Sequence, residues 1–460
     1  MEAVKEAKAY TLVASTRDIY SCTNNKSRPR EGKLPDGQAP THEPYTGHGG
    51  ETSVNHFKSA QWSADGTSLL TSSADNTIRT FILPPDLISS GRPITLAPYT
   101  SHTLPTSINC IAPYPHFALS SPTTTLYLST PTDLPIRLSN VLYPSSNPVC
   151  TYTLQSPTTE AYLTPSSILW SPGATSFLTG TDCLIAVFDV SRSGANTGPV
   201  SRFPTIPSKR HKMKGGGIGM RGTVSALSTS PSDDPLLAAG TWTRWVGLYD
   251  SGGMGGTVAT WSIAEAADKV AGIGGAGVTQ TLWSSCGRYL YVVERKSDGV
   301  LVFDVRVTGK LIGWLEGRNA DTNQRLGVDT FSADGGMEVW AGGGDGIVRI
   351  WEGVGLTEGG VKRNWEWKAH DDPITSTVVH GSGTVVATCS GQRQLYDYGT
   401  YESESSESES DANSDSDESR TSNGSGRSSR RSSPSLSSIG SSHLPVATKQ
   451  PDNSVKVWSI

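Results

Sequence analysis

A unit of three short apolar segments separated by polar turns recurs along the chain. In the copy "FKSAQWSADGTSLLTSSADNTIRTFIL" (57–83), an alternating segment leads into a Ser-x-Asp-Gly turn. A second apolar segment, a Ser/Asp turn and a third segment ending in an aromatic residue follow. Alternation of apolar and polar positions is typical of β-strands, and Gly, Asp and Asn between them are typical of tight turns. Each unit therefore predicts a short antiparallel sheet.

The unit is present six times in order, with its turn residues in phase. A second clear copy spans 325–353. In both clear copies an aspartate stands six residues before the closing aromatic, Asp75 before Phe81 and Asp345 before Trp351. Weaker copies cover 107–130, 166–190, 223–250 and 277–305. These copies resemble WD40 repeats, and that resemblance implies a β-propeller with one blade per repeat.

A seventh copy is interrupted by a long polar insertion. Residues 365–393 supply His370 and two predicted strands, and the third strand is missing until "PDNSVKVWSI" (451–460). There Asp452 again stands six residues before an aromatic, Trp458. We expect His370 to link its turn to this last strand, and a strand at 9–16 to complete the blade. A long insertion in a loop costs a fold little, because loop-closure entropy grows slowly with length.

The predicted fold is therefore all-β, a single seven-bladed WD40 β-propeller over 1–460. Its expected segments are a flexible loop at 17–52, a basic Gly-rich loop at 206–222, a disordered insertion at 394–450 within the last blade and a closing strand at 452–460.

Composition agrees with short strands and narrows the protein class. The 460 residues include 49 Gly and 28 Pro. The first residues lack the apolar core of a signal peptide, and no segment has the roughly 20 apolar residues of a membrane span. The six cysteines and nine histidines show no metal-ligand spacing, so we expect neither a metal nor a cofactor. The net charge of −5 is unevenly distributed along the chain, because eight acidic and no basic residues lie within 402–418.

Four stretches go beyond the general repeat. They are "FKSAQWSADGTSLLTSSADNTIRTFILP", "LAAGTWTRWVGLYD", "TNQRLGVDTFSADG" and "VVATCSGQR" followed by the acidic insertion. Over about 57–393 the chain resembles the telomerase Cajal body protein family of WD40 proteins. In animals that resemblance implies a nuclear RNA-binding scaffold for small Cajal body RNAs and telomerase RNA, and similar fungal proteins are associated with splicing ribonucleoproteins. It also implies a monomer within an RNA–protein complex.

Two groups of residues are candidates for RNA or partner binding. The basic loop offers cations suited to phosphate contacts, although it could instead be a nuclear import signal or a solvated loop. Arg244 lies between two tryptophans, and arginine among aromatics can stack on unpaired bases, although such tryptophans often pack between blades. Arg325 and Arg393 end two similar "QR" pairs. The candidates are Lys209, Arg210, Lys212, Lys214, Trp242, Arg244, Trp245, Arg325 and Arg393.

The acidic insertion is a candidate regulatory segment. Placed beside a basic loop, it could compete with RNA, or it could be only solvated chain. Phosphorylation would deepen its charge at serines that have an acidic residue three positions on or that follow an Arg-Arg-x pattern. These serines are Ser406, Ser408, Ser414 and Ser433.

An enzyme is not expected. No G-x-S-x-G, H-E-x-x-H or Walker motif occurs, and both G-x-G-x-x-G stretches lead into predicted strands, whereas nucleotide sites need a helix there. The competing hypothesis is a protein-only adaptor, either G-protein-β-like or a ubiquitin-ligase substrate receptor. RNA binding through cations should weaken with salt, whereas peptide binding by such an adaptor should not.

Overall fold

A computed structural model describes residues 10–16, 21–23, 52–89, 91–143, 147–194, 197–207, 219–392 and 452–460. The first strands are β1 (Thr11–Ser15), β2 (Ser21–Thr23), β3 (Thr52–Val54), β4 (Phe57–Trp62), β5 (Ser68–Ser73), β6 (Thr77–Ile82), β7 (Ile94–Thr95) and β8 (Thr100–Thr103). Then come β9 (Ile108–Pro113), β10 (Leu126–Pro131), β11 (Ile136–Asn140), β12 (Cys150–Tyr152), β13 (Ser167–Trp170), β14 (Ser176–Thr181), β15 (Leu184–Asp189) and β16 (Ser201–Pro204). Next are β17 (Val224–Thr229), β18 (Leu237–Thr241), β19 (Trp245–Tyr249), β20 (Thr257–Ser262), β21 (Val278–Trp283), β22 (Tyr289–Glu294), β23 (Ser297–Asp304) and β24 (Lys310–Ala320). The last are β25 (Val328–Ala333), β26 (Gly336–Gly342), β27 (Ile347–Trp351), β28 (Gly359–Val361), β29 (Trp365–Lys368), β30 (Ile374–Val379), β31 (Val385–Ser390) and β32 (Val455–Ser459).

Seven of the sheets are propeller blades, and the predicted seven-bladed fold is confirmed. The first six blades contain β4-β5-β6-β8, β9-β10-β11-β12, β13-β14-β15-β16, β17-β18-β19-β20, β21-β22-β23-β24 and β25-β26-β27-β29. Their innermost strands touch in circular order, because β4, β9, β13, β17, β21 and β25 each contact the next, and β30 of blade 7 contacts both β25 and β4. A fifth strand, β28, adds to blade 5 in parallel with β24.

Both chain ends contribute to blade 7, whose strand order is β30-β31-β32-β1-β7. β32 pairs antiparallel with β31, with Val386 opposite Trp458, and also with β1, with Leu12 opposite Trp458. The third strand of this blade therefore comes from the end of the chain and the fourth from its start. The short strand β7 extends the edge in parallel with β1.

The ends of the long insertion meet at one carboxylate. Asp372 accepts the backbone N–H of Asp452 at 2.7 Å and the side-chain N–H of Gln392 at 3.5 Å. The predicted insertion itself, 394–450, lies outside the described residues, as does most of the predicted loop at 17–52. What the structure fixes is that the chain leaves and re-enters blade 7 at neighbouring points.

Buried apolar residues lie between the blades. The described residues form seven apolar clusters, and each joins two neighbouring blades. The second strands are buried on both sides, as in β5, where all six residues are buried. This explains their continuous apolar or small-residue character, because each blade is covered on both of its faces. Stability of the ring is thus spread over seven similar interfaces.

The Ser-x-Asp-Gly turn of blade 1 allows blade 7 to approach closely. Gly66 has φ 70°, which favours glycine. A Cβ atom there would lie 2.0 Å from Nε2 of His380 in blade 7. Glycine is thus required at position 66 both by the backbone of the turn and by the contact between blades 1 and 7, where the ring closes. In the described residues, no helix is long and apolar enough to cross a membrane.

Candidate nucleic-acid interface

The axis of the ring holds a cavity of about 920 Å³, lined by the innermost strands of all seven blades. We call the face where those strands begin the top face. It carries the turns between the second and third strands and the connections from one blade to the next. The opposite face is the bottom face. A cavity walled by strands on all sides admits a ligand only from these two faces.

Most polar side chains of the channel wall join neighbouring blades. Ser167 Oγ donates to the carbonyl of Val224 in blade 4 at 2.9 Å, and Ser376 Oγ donates to that of Ala60 in blade 1 at 3.2 Å. At the bottom end, Trp62 Nε1 donates to the carbonyl of Val378 at 3.1 Å. These groups are occupied by the ring itself, so the polar wall alone is not evidence of a binding site.

Arg325 departs from this neighbour-to-neighbour pattern. It precedes β25 of blade 6, yet its Nη1 donates to the carbonyl of Ser166, next to blade 3, at 3.1 Å. The side chain therefore reaches across the top of the channel. The same carbonyl accepts the thiol of Cys110 at 3.0 Å.

An exposed tryptophan lies beside Arg325 at the channel mouth. Trp242, in the turn after β18, is 40% exposed and lines the cavity. The Arg325 guanidinium carbon is 5.9 Å from the Trp242 ring centroid, and that of Arg295 is 5.1 Å from it. Arg295 also donates from Nε to the carbonyl of Ala276 at 2.8 Å, which fixes its position. We call Trp242, Arg295 and Arg325 the mouth cluster.

The stacking role expected of Arg244 does not fit its position. Its guanidinium binds Asp268 at 2.7 and 2.9 Å and Glu294 at 2.8 and 3.1 Å. Glu294 is buried, and burial raises its pKa while the bonds from Arg244 and the Gly277 N–H oppose that shift. Arg244 is thus the centre of an ion-pair network that joins blades 4 and 5. It holds the turn that carries Trp242, and its N–H donors are engaged by these two carboxylates.

The two neighbouring tryptophans have different surroundings. Trp245 packs against the apolar cluster between blades 3 and 4. This is the packing between blades that was given as the alternative to base stacking. Trp242 has its ring beside Arg295 instead, a residue that the sequence analysis did not select. Its partner lies 53 positions away, so no local pattern points to the contact. In the sequence, an exposed position for Trp242 was indicated by its place in a turn between the second and third strands of a blade.

The first "QR" motif bonds to the residue just before the second one. Gln324 Nε2 donates to the carbonyl of Gly391 at 3.0 Å, which joins the connection before blade 6 to the segment after β31. Gln324 and Arg325 therefore have separate tasks, since the first ties two loops together and the second crosses the channel. Arg393 lies outside the described residues.

The basic loop also belongs to the top face by its ends. Thr205, after β16, donates its N–H to the carbonyl of Cys183 in the top-face turn of blade 3 at 3.0 Å, and Met220 donates to Thr205 at 2.8 Å. The four predicted cations between them, like the four predicted phosphorylation sites, are outside the described residues: Lys209, Arg210, Lys212, Lys214, Ser406, Ser408, Ser414 and Ser433.

The predicted structural aspartates stabilise the top-face turns. Each pairs with a cation four residues later on the following strand. The pairs are Asp75 with Arg79, Asp345 with Arg349 at 2.6 Å, and Asp452 with Lys456 at 3.0 Å. These partners hold the pKa of Asp75 and Asp345 below the usual range in spite of burial. Trp351, which closes β27, is fully buried in the cluster between blades 5 and 6.

His370 links its turn to the last strand through a chain of hydrogen bonds. Its Nδ1 lies 3.2 Å from Asp452 Oδ2, and its Nε2 lies 2.8 Å from Thr388 Oγ1. Thr388 Oγ1 also accepts the indole N–H of Trp458 at 2.9 Å. Burial lowers the pKa of His370, and Asp452 offsets this in part. The network stabilises the closure of blade 7.

Comparison with known proteins agrees with this geometry. The family described as "WD domain, G-beta repeat" matches residues 39–81. Telomerase Cajal body protein 1 of Mesocricetus auratus is 27% identical over 349 residues, 75% of this chain and 59% of that protein. The Homo sapiens protein of that name is 26% identical over 344 residues, 74% and 57% of the two chains. The chain is therefore a seven-bladed β-propeller that is similar to telomerase Cajal body protein 1 and matches the WD40 repeat model in one segment.

A further relative carries a different name. Guanine nucleotide-binding protein negative regulator 1 of Schizosaccharomyces pombe is 27% identical over 309 residues, 66% of this chain and 72% of that protein. The alignment covers less than two thirds of the two Cajal body proteins above. Similarity to them supports a WD40 scaffold and leaves the ligand to be argued from the site.

Proposed function

We propose that this protein is a non-catalytic nuclear scaffold that binds single-stranded segments of a small Cajal-body-type RNA and assembles or localises a ribonucleoprotein. The observation that carries the proposal is the mouth cluster, an exposed indole ring with two arginines beside it at the entrance of the channel. Bases of unpaired RNA stack on aromatic and guanidinium planes, and arginines also contact phosphates. The resemblance to telomerase Cajal body protein 1 supports RNA as the ligand class.

The basic loop extends the same surface in this proposal. Its cations, Lys209, Arg210, Lys212 and Lys214, would contact phosphates next to the mouth cluster, and Arg393 would add a charge on the side of blade 7. Such contacts give salt-dependent affinity without sequence selection. The acidic insertion would compete with RNA for these cations, and phosphorylation of its serines would strengthen the competition.

The test is crosslinking of the protein to RNA in cells, followed by sequencing of the bound RNA. We expect enrichment of small nuclear RNAs with the wild type and loss of that enrichment with Trp242→Ala combined with Arg295→Ala. Arg192→Ala is the matched control, because Arg192 is exposed in the loop after β15 on the bottom face. Recovery of only background messenger RNA by the wild type would overturn the proposal.

A protein-only adaptor is the second candidate, and the name of the fission yeast relative favours it. This candidate expects a peptide ligand on the top face whose affinity does not change with salt. It also expects no effect of neutralising the four cations of the basic loop. The salt dependence of binding separates the two candidates.

A further inference from the structure

Three cations of the described residues line the top of the channel without a carboxylate partner: Lys58, Arg325 and Arg295, which lies beside Trp242. Lys58, at the start of β4, donates from Nζ to the carbonyl of Ile108 at 2.6 Å and to Ser107 Oγ at 3.3 Å. Arg325 uses Nη1 for the carbonyl of Ser166 at 3.1 Å. Within the described residues, neither Lys58 nor Arg325 has an acidic side chain within ion-pair distance, and both line the cavity. Lys58 and Arg325 donate to uncharged oxygens, and Arg325 also contacts the Cys110 thiol. Both positive charges therefore remain uncompensated.

Three arginines in the top-face turns, by contrast, are compensated by carboxylates. Arg79 and Arg349 pair with the aspartate of their own turn, and Arg244 pairs with Glu294. The one acidic residue among those lining the cavity, Asp329, accepts the N–H of Val379 at 2.8 Å, and burial raises its pKa to about 6. That carboxylate is tied to the wall between blades 6 and 7. The mouth therefore differs from these turns in holding positive charge without a matching negative charge.

Lys58 and Arg325 are close enough to influence each other. Burial lowers the pKa of Lys58, and Arg325 lowers it further. Burial raises the pKa of the Cys110 thiol, while Arg325 and Lys58 both act against that shift. Cys110 thus lies in the field of both cations. Like charges held together in a partly enclosed site favour an anion, because the anion interacts with both at once.

We propose that the channel mouth holds one phosphate group of the bound RNA between Arg325 and Lys58, with an adjacent base stacked on Trp242. The inference rests on the proposed function and assigns a role to Lys58. Arginine has five N–H donors, so Arg325 can keep its bond to Ser166 while other donors face the phosphate. β-strands wall the channel on all sides. The phosphate is therefore either at the end of the RNA or part of a nucleotide that projects from the RNA chain into the channel mouth.

The experiment measures binding of a short unstructured RNA, with either a 5′-hydroxyl or a 5′-phosphate, to the full chain by fluorescence anisotropy over a range of salt. Arg325→Met and Lys58→Met are each expected to weaken binding about tenfold to a hundredfold, the worth of one charge-assisted hydrogen bond. Each should also lower the salt slope by about 1. Lys310→Met is the matched control, because Lys310 is half-exposed at the bottom-face end of β24.

Lys58 also joins blades 1 and 2, so its loss could weaken the fold itself. Thermal denaturation of each variant separates this effect from binding. Lys58→Arg keeps the charge and is expected to bind RNA, whereas Lys58→Met is not, even where the two unfold at the same temperature. Arg325→Met makes the same test at a second position, because the bond of Arg325 to Ser166 crosses the channel and does not involve Lys58.

The two RNAs identify the source of the phosphate. A terminal phosphate is indicated if the 5′-phosphate tightens wild-type binding and the two variants lose that gain. An internal phosphodiester is indicated if both RNAs bind alike and the variants weaken both. The inference is overturned if both variants bind like the control while Trp242→Ala weakens binding, and the proposed function then stands. If the wild type binds neither RNA, the proposed function falls as well.

Discussion

Replacement of Trp458 by alanine tests whether the end of the chain is an integral part of the ring. The side chain is 9% exposed, packs in the cluster between blades 6 and 7, and donates its indole N–H to Thr388 Oγ1 at 2.9 Å. Truncation of a buried tryptophan costs about 3–5 kcal/mol. That is a large part of the roughly 5–15 kcal/mol by which domains are stable.

Trp242→Ala is the matched comparison, because that tryptophan is 40% exposed and its ring lies beside Arg295 and Arg325 at the channel mouth. Its expected cost is below about 1 kcal/mol. Urea denaturation followed by circular dichroism measures the midpoints of both variants and of the wild type. If Trp458→Ala unfolds at the same urea concentration as Trp242→Ala, strand β32 does not stabilise the propeller and the closure argument is refuted.

Three further predictions concern stability. Burial lowers the pKa of His370 in the folded protein, so its contribution to stability is complete above the unfolded-state pKa of about 6.5 and is lost as the pH falls below it. The melting temperature of the wild type should therefore fall between pH 7 and pH 5, and His370→Gln should make that fall smaller. Glu294→Gln removes the buried counter-charge of Arg244 and should lower the free energy of unfolding, measured by urea denaturation, by about 3–5 kcal/mol. Asp268→Asn removes an exposed carboxylate and should lower it by less than about 1 kcal/mol. Replacing 394–450 by a short linker should leave the melting temperature within a few degrees of wild type, because Asp372 holds both ends; a large drop would mean that the insertion itself supports the ring.

The repeat could be predicted from the sequence because its determinants are local. The aspartate and the closing aromatic lie on one turn and one strand, so their spacing is preserved even where a long insertion separates them from the rest of the blade. The same spacing indicates the third strand of blade 7 at 451–460 and its link to His370. The fifth strands β7 and β28 were not predicted, since segments of two or three residues have no periodicity.

The site was less predictable because its contacts join different blades. Arg244 was selected for its neighbours in sequence, and its ion pair with Glu294, 50 positions away, could not be seen there. Lys58 carries no local feature that separates it from an ordinary strand lysine. Its environment is set by burial and by Cys110 and Arg325, which belong to blades 2 and 6. Spacing within one repeat cannot contain such information.

The central claim is that RNA binds at the channel mouth on the top face. Ultraviolet crosslinking of the purified full chain to a short single-stranded RNA, with the crosslinked amino acids mapped by mass spectrometry, tests it directly. We expect crosslinks at Trp242 and in the segment that contains Arg325, and their loss with Arg325→Met. Crosslinks confined to the bottom face, for example around Arg192 and Lys310, would contradict the claim.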